Sequence, residues 1–392
     1  MSLKLNLPSG IYVGGQTLRG EAELHFPLVN QEGLEEVHVK LRGSIFTYAT
    51  VSRQLGKQRF VHRQTVPVVS ENVSLWSRAS NRIPSDNDVL RIPFEFKIPL
   101  NAPPSCHYDA MSKHGRVGYF VELVGARQGV LAKSRRVVRP ISVVPEDLQG
   151  EQVVMALRGL DTPLALQTKV AEKKIRRGIF GEYANTRLEL SFPKAQTYPL
   201  FTPIPYTLRV VTVTKPMKKE EEEKKPLFPA PPSQPGEVEF RLHRNVFLKA
   251  KVFEEDGDEK VTTLGGLETA TSAAVSGVPV DVQVKEKVWT PSAKEKHLGT
   301  WTQETTFRSA FLFKCPPTFE AENMHVKYSI KVRIDFPGIG NDLEIEIPIA
   351  ISSGLSAAPV YTEEADNFAA ILDLPPTYWG DAEKWDEEEK EK

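Results

Sequence analysis

The fold is decided by a stretch that reads VKYSIKVRI over residues 326–334. Apolar side chains stand at every second position from Val326 to Ile334, with charged or small polar residues between them. Because successive side chains of a strand point to opposite faces, this alternation predicts a strand with one buried face. The pattern returns at residues 37–41 and 92–96, so the chain is expected to contain many half-buried strands.

The composition favours an all-β globular protein. The chain has 30 prolines and 25 glycines at turn-like spacing, while long helical periodicity is almost absent. Hydrophobic residues make up 40% and charged residues 26%, as in folded soluble domains. The formal net charge of −1 provides no global attraction to nucleic acid, so nucleic-acid binding is not expected.

An internal repeat predicts two tandem β-sandwiches. Four patterns of the first half recur in the same order in the second half: residues 3–8 at 188–193, 94–97 at 311–314, 117–123 at 326–332, and 140–143 at 348–351. Each match alone is ordinary strand composition, but their shared order indicates a duplicated unit. The alternative is two unrelated β domains that share strand chemistry.

Composition shifts divide the chain into four parts. We expect a first sandwich over residues 1–147, a linker over 148–180, a second sandwich over 181–354, and a flexible tail over 355–392. In the linker, alternation stops and basic residues intervene. Within the second sandwich, residues 215–237 combine a charge block with six prolines, which predicts a mobile insertion.

Catalytic motifs are not found in the sequence, and we expect neither enzymatic activity nor a cofactor. There is no nucleophile elbow, phosphate-binding loop or zinc-protease motif. His107 and His114 lie beside Cys106, but zinc sites require a fuller ligand set, so no metal is expected. Two cysteines cannot form a disulfide framework, and the N-terminus lacks a signal-peptide pattern, which favours a cytoplasmic protein.

The tail contains a PPxY motif, formed by Pro375, Pro376, Thr377 and Tyr378 after Leu374. Consecutive prolines hold a polyproline II conformation that loses little entropy on binding. WW domains bind this shape in an aromatic groove and place the tyrosine in a second pocket. The motif therefore predicts a WW-domain partner, with a merely structural tail as the alternative.

Apolar residues also precede this motif. Phe368, Ile371 and Leu372 are spaced i, i+3, i+4, which is typical of a short amphipathic turn that docks on the body or on a partner. Further upstream, residues 358–361 read APVY, a degenerate motif that lacks the first proline.

Basic residues form a second candidate surface. Lys133, Arg135, Arg136 and Arg139 form a cationic run near the cations of the linker. Such a surface suits acidic cytosolic tails or an anionic membrane, whereas the ordinary explanation is a set of exposed strand positions.

Taken with the PPxY tail, the duplicated sandwich resembles the arrestin superfamily, and within it the α-arrestins, or arrestin-related trafficking adaptors. The similarity includes Gly14, Leu18, Gly20, Ala22 and Leu24 in the first half. In the second half it includes the FKCPPTF sequence at 313–319, together with Tyr328. The resemblance implies two tandem arrestin-like, immunoglobulin-like β-sandwich domains.

The resemblance also implies a non-enzymatic adaptor. Its body engages the cytosolic parts of a membrane-protein cargo, and Leu374, Pro375, Pro376 and Tyr378 recruit a HECT-type ubiquitin ligase through its WW domains, which promotes cargo ubiquitination and endocytosis. Such a protein is cytoplasmic and is recruited peripherally to the plasma membrane or endosomes. The alternative is a ligase-independent arrestin-fold scaffold for endosomal protein sorting.

Overall fold

The computed structural model describes residues 1–52, 59–79, 88–128, 134–178, 181–223, 225–268, 279–293, 295 and 297–356. These residues form several β-sheets and few helices, which confirms the all-β sandwich class expected from the alternation. In this part of the chain the longest helix has 10 residues, and it connects the two sandwiches.

Among the described residues, the first sandwich contains nine strands and one short helix. The strands are β1 (Leu3–Asn6), β2 (Ile11–Val13), β3 (Thr17–His25), β4 (Leu34–Ser52), β5 (Arg59–Ser77), β6 (Val89–Lys97), β7 (Cys106–Ala110), β8 (Lys113–Arg127) and β9 (Arg135–Val144), with helix α1 (Phe26–Glu32) after β3. One sheet has the order β1-β3-β6. The other has the order β2-β9-β8-β4-β5, with β7 also paired to β8.

The second sandwich follows helix α2 (Leu148–Leu157). Its strands are β10 (Leu166–Arg176), β11 (Tyr183–Pro193), β12 (Tyr198–Pro199), β13 (Ile204–Thr214), β14 (Glu239–Ala250), β15 (Phe253–Thr263), β16 (Asp281–Val284), β17 (Val288–Pro291), β18 (Gly299–Phe311), β19 (Phe319–Glu320), β20 (Met324–Asp335), β21 (Asp342–Ile349) and β22 (Ile351–Ser352), with helix α3 (Lys219–Glu222) and a 3-10 turn (Pro235–Glu237) after β13. One sheet has the order β10-β11-β13-β18-β16, with β17 beside β18. The other has the order β15-β14-β20-β19, with β21 beside β20.

The stretch VKYSIKVRI lies in β20, and its burial alternates as the sequence predicts. Val326, Ile330 and Val332 are fully buried and Tyr328 is 3% exposed, while the alternate positions Lys327, Ser329 and Lys331 are partly or fully exposed. Burying one such side chain stabilises the fold by about 1.5–3 kcal/mol. Most buried apolar residues of both sandwiches belong to one continuous cluster.

Equivalent tyrosine hydrogen bonds occur in the two sandwiches. The hydroxyl of Tyr119 donates to the carbonyl oxygen of Pro103 at 2.7 Å. The hydroxyl of Tyr328 donates to the carbonyl oxygen of Pro316, also at 2.7 Å. Both tyrosines belong to the repeated pattern, and both prolines begin a Pro-Pro pair. The repeat therefore extends from sequence to hydrogen bonding.

A hydroxyl residue beyond each Pro-Pro pair makes a second equivalent contact. The side chain of Ser105 accepts from the backbone N–H of Val143 at 2.9 Å, and that of Thr318 accepts from Ile351 at 2.9 Å. The backbone N–H groups of Ser105 and Thr318 donate in return to the carbonyls of the same residues. Each sandwich thus ties its Pro-Pro loop to its closing strand in the same way.

The start of each sandwich supplies a third equivalence. Tyr12 donates to the carbonyl of Pro8 at 2.7 Å, and Tyr198 donates to the carbonyl of Pro193 at 3.0 Å. Both tyrosines lie in short strands, β2 and β12, that pair in parallel with β9 and β22. Three matched sets of contacts favour duplication over two unrelated domains.

Residues 148–180, expected to be a linker, contain both α2 and β10. Strand β10 pairs with β11 along its whole length, from Leu166 to Arg176, so it belongs to the second sandwich. The sequence did not predict this strand because β10 lies at the edge of its sheet. Ile175 is its single fully buried side chain. Such a strand needs little apolar alternation.

Residues 215–237, expected to be a mobile insertion, include buried residues. Leu227 is 4% exposed and forms a cluster with Met217 and Trp301. Pro229 and Pro231 are also buried. The proline rings and Leu227 supply apolar surface that packs on the sandwich, which composition alone does not reveal.

Candidate interaction surfaces

The residues predicted to contact a WW domain, Leu374, Pro375, Pro376 and Tyr378, lie outside the described residues, as does the apolar turn at 368–372. The structure does show where the chain leaves the body toward them. The described residues end at Ser356, just after β22.

Hydrogen bonds hold this exit point against the start of α2. The hydroxyl of Ser353 donates to the carbonyl of Pro145 at 2.6 Å. The side chain of Asp147 accepts from the N–H of Gly354 at 3.1 Å, and its own N–H donates to the carbonyl of Leu355 at 2.8 Å. Asp147 also caps α2 by accepting from the N–H of Gly150 at 2.8 Å. The first residues of the tail are therefore anchored between the sandwiches.

A cleft of about 830 Å³ opens beside this anchor. Its walls come from both sandwiches and from the connection between them: Ile45, Val68, residues 100–104, residues 145–149 and residues 318–321. Leu100 and Leu148 line it although they are 58% and 59% exposed. Large apolar side chains are thus presented to solvent in a concave site.

Polar contacts join the two sandwiches elsewhere. The hydroxyl of Thr47 donates to the carbonyl of Lys249 at 2.6 Å. The amide nitrogen of Asn323, a fully buried residue, donates to the Thr47 oxygen at 3.1 Å. The N–H of Lys251 donates to the side-chain oxygen of Gln64 at 2.8 Å. These bonds connect β4 and β5 of the first sandwich to the end of β14, the β14–β15 turn and the β19–β20 turn of the second.

A buried arginine lies at the same interface. Arg244 is 3% exposed, donates from Nε to Glu259 at 2.5 Å, and places its guanidinium 5.9 Å from the ring of Tyr108 in the first sandwich. Burial lowers the pKa of Arg244, but nearby Cys106, Tyr328 and Glu259 outweigh it and raise that pKa above its ordinary value. The interface therefore contains a permanent positive charge.

Sequence reasoning missed Arg244, although a signal was present. In β14 the inward positions are otherwise apolar, with Leu242 and Val246 on either side of Arg244. A charged residue in the buried register of a strand is unusual unless it has a partner. This break in alternation was the available signal.

The basic residues of the sequence analysis are placed on two different sandwiches. Arg135, Arg136 and Arg139 lie on β9, and Lys133 lies outside the described residues. Arg136 is 3.3 Å from the buried carboxylate of Glu122. The linker cations fall on β10 or just after it: Lys169, Lys173, Lys174, Arg176 and Arg177. Lys173 is 3.3 Å from Asp342, so part of this charge is neutralised within the protein.

An ion-pair ladder crosses the outer face of the second sandwich. In order, its members are Glu172, Arg187, Glu189, Arg209, Glu304 and Lys285. Arg209 donates to Glu304 at 2.9 Å and to Glu189 at 3.1 Å. Hydrogen bonds from Arg209 and Lys285 hold the pKa of Glu304 below its ordinary value.

The structure gathers no metal-binding cluster of His, Cys, Asp and Glu among the residues it describes. His114 instead lies 2.6 Å from Asp109, and Cys106 is a buried cysteine that forms no disulfide. No helix of the described ranges has the length and apolarity needed to cross a membrane.

With this architecture in place, comparison with known families gives one match. Residues 1–147 match the family described as arrestin (or S-antigen), N-terminal domain. The match covers 147 of the 392 residues and supports an arrestin-like first sandwich, a domain that suggests an adaptor or scaffold role in general. Arrestin proteins are generally non-enzymatic adaptors. No curated protein matches the chain significantly.

Proposed function

We propose that the protein is an α-arrestin-type adaptor that links membrane-protein cargo to a WW-domain HECT-type ubiquitin ligase and so promotes cargo ubiquitination and endocytosis. The observation that carries the proposal is the PPTY sequence at 375–378, which follows an arrestin-like body. The sequence lies beyond β22, the last strand of the described chain.

The tail would act as a tether. Pro375 and Pro376 present a polyproline surface to the WW groove, Tyr378 fills the second pocket, and Leu374 supports the contact. A ligase held this way stands beside the cargo at an effective concentration in the millimolar range, without any chemistry in the adaptor itself. This division of roles fits a chain in which sequence inspection finds no catalytic motif.

The body would contact the cytosolic parts of the cargo. The arginines of β9 and the cations of β10 are candidates for acidic cargo tails or for an anionic membrane surface, each basic side chain near the surface adding about 1 kcal/mol. On this proposal the protein is cytoplasmic and joins the plasma membrane or endosomes peripherally.

The test is the affinity of the full chain for a WW domain of a HECT-type ligase. We expect micromolar binding that falls at least 10-fold in both Pro376→Ala and Tyr378→Ala, because each removes one of the two contacts. Tyr361→Ala is the matched control, since APVY at 358–361 lacks the first proline. An affinity that is unchanged in Pro376→Ala and Tyr378→Ala would contradict ligase recruitment through this motif.

A ligase-independent scaffold for endosomal sorting is the second candidate. The observation that favours it is the buried polar interface at Asn323, where residues of the two sandwiches bond directly to each other. It predicts that cargo sorting in cells survives Tyr378→Ala, whereas the adaptor proposal predicts its loss.

A further inference from the structure

We propose that residues 368–372 of the protein's own tail dock in the cleft between the sandwiches, with Phe368, Ile371 and Leu372 against Leu100 and Leu148. The proposal is independent of ligase recruitment. It assigns an occupant to the cleft and a binding site to an apolar segment of the tail.

The cleft has the properties of a site for apolar side chains. Its volume of about 830 Å³ lies in the range of about 300–1,000 Å³ that is typical of sites enclosing small ligands. Leu100 and Leu148 leave more than half of their surface exposed, and Pro103 and Phe319 extend the apolar lining. Covering these side chains would remove apolar surface from water at about 25 cal/mol per Å².

The tail begins at the edge of this cleft. Leu355 is hydrogen-bonded to Asp147, and Asp147 is itself a lining residue. From Ser356 to Phe368 the chain advances by 12 positions. An extended chain of that length reaches about 40 Å, and a flexible one spans about 20 Å on average. The segment therefore reaches the cleft easily, at a high effective concentration.

The sequence of the segment suits this site. Residues 368–372 read FAAIL and carry no charge, and the i, i+3, i+4 spacing places the three large side chains on one face of a helical turn. The cleft includes Glu146 and Glu320, and acidic residues flank the segment, so electrostatics oppose docking. Apolar contact must then drive the association, and added salt should strengthen it by screening the repulsion.

The experiment places photoreactive benzoylphenylalanine at position 368 of the full chain and maps the cross-links by mass spectrometry. We expect cross-links within one chain to residues 100–104, 146–149 or 318–321, with a yield that rises with salt. Leu148→Asp should lower this yield at least 5-fold. Leu160→Asp is the matched control, because Leu160 is 67% exposed and does not line the cleft.

Three outcomes would overturn the proposal. Cross-links elsewhere on the body, or none at all, would show that the segment does not bind in the cleft. A yield indifferent to Leu148→Asp would show the same. Cross-links between two chains, with a yield that grows with protein concentration, would assign the cleft to a second copy.

As a second measurement, hydrogen exchange of the full chain should show faster exchange in residues 100–104 and 146–149 when Phe368 and Leu372 are both replaced by Asp. The sandwich contacts described above are made by residues other than Phe368 and Leu372, so we expect this variant to keep a folded body. Unchanged exchange in these two segments would count against docking.

Discussion

Tyr119 and Tyr328 satisfy a carbonyl group in the interior of each sandwich. Burial raises the pKa of both phenols well above the ordinary value, so the hydroxyls stay protonated and donate to Pro103 and Pro316. A buried carbonyl that loses its donor costs about 1–3 kcal/mol. The two tyrosines therefore fix the conformation of the Pro-Pro loops as well as filling space.

We expect Tyr328→Phe to lower the free energy of unfolding by about 1–2 kcal/mol, because the change deletes the donor and keeps the ring. Tyr119→Phe should have a similar effect in the first sandwich. Urea denaturation followed by fluorescence measures both. Tyr183→Phe is the control, since Tyr183 is 49% exposed, and an equal loss in this control would contradict the argument.

At the residue scale, the sequence predicted which side chains of the strands are buried, but it did not predict the hydrogen bonds and ion pairs that the buried polar side chains make. Tyr328 was recognised as part of a buried alternation, but its hydrogen bond depends on a carbonyl 12 positions earlier in the chain. Arg244 was missed because its partners Tyr108 and Glu259 come from different strands. Such contacts arise from tertiary packing, which alternation does not encode.

Among the elements, the ladder on the second sandwich couples neighbouring strands through charge. Arg209 of β13 stands between Glu189 of β11 and Glu304 of β18. The lowered pKa of Glu304 means that its contribution is present above its ordinary pKa of 4.5 and is lost as the pH falls through the folded-state value.

We expect Arg209→Met to destabilise the protein by about 1 kcal/mol at pH 7, and the difference from wild type to shrink as the pH falls below 4.5 and through the lower folded-state pKa of Glu304. Denaturation midpoints at several pH values measure this. Arg19→Met is the control, because Arg19 is 78% exposed and lies 3.5 Å from Glu95. A pH-independent loss in Arg209→Met would argue against the electrostatic explanation.

The strands that sequence predicted best are central ones such as β20, where two neighbours and a buried face enforce alternation. Strand β10 escaped detection because one of its edges and most of its side chains face solvent. The pattern that identifies a strand weakens as burial decreases, so element boundaries at a sheet edge are the hardest to predict.

For the molecule as a whole, the polar contact of Thr47 with Asn323 connects the two sandwiches. Asn323 is fully buried and donates to Thr47 at 3.1 Å. Interfaces between domains of one chain are often small and polar, so one buried amide contributes substantially. Its loss should loosen the joint between the sandwiches and leave each core intact.

We expect Asn323→Ala to lower the melting temperature by about 4 °C, which corresponds to about 1–2 kcal/mol for domains of this size. Differential scanning calorimetry measures the shift and also reports whether one transition separates into two. Asn72→Ala, at an exposed position of β5, is the control. Equal shifts in the two variants would mean that the amide does not stabilise the interface.

The tandem sandwich arrangement was predictable at this scale because duplication leaves a pattern along the whole chain. The cleft was not, since its lining comes from residues far apart in sequence, such as Ile45, Leu148 and Phe319. The WW-binding role of Pro376 and Tyr378 remains a prediction, because these residues lie outside the described ranges.

The parallel pairs β2–β9 and β12–β22 also determine when each half can finish folding during translation. Each pair joins an early strand of a sandwich to its last strand, so neither sandwich closes until that last strand has left the ribosome. The roughly 200 residues between Val144 and Ser352 take about 10 to 40 s to synthesise. For that interval the first sandwich is the completed part of the nascent chain, while the strands of the second sandwich still lack their last pairing partner. Premature termination in this window would release a folded first sandwich carrying exposed, unpaired strands, and chaperones would have to protect it.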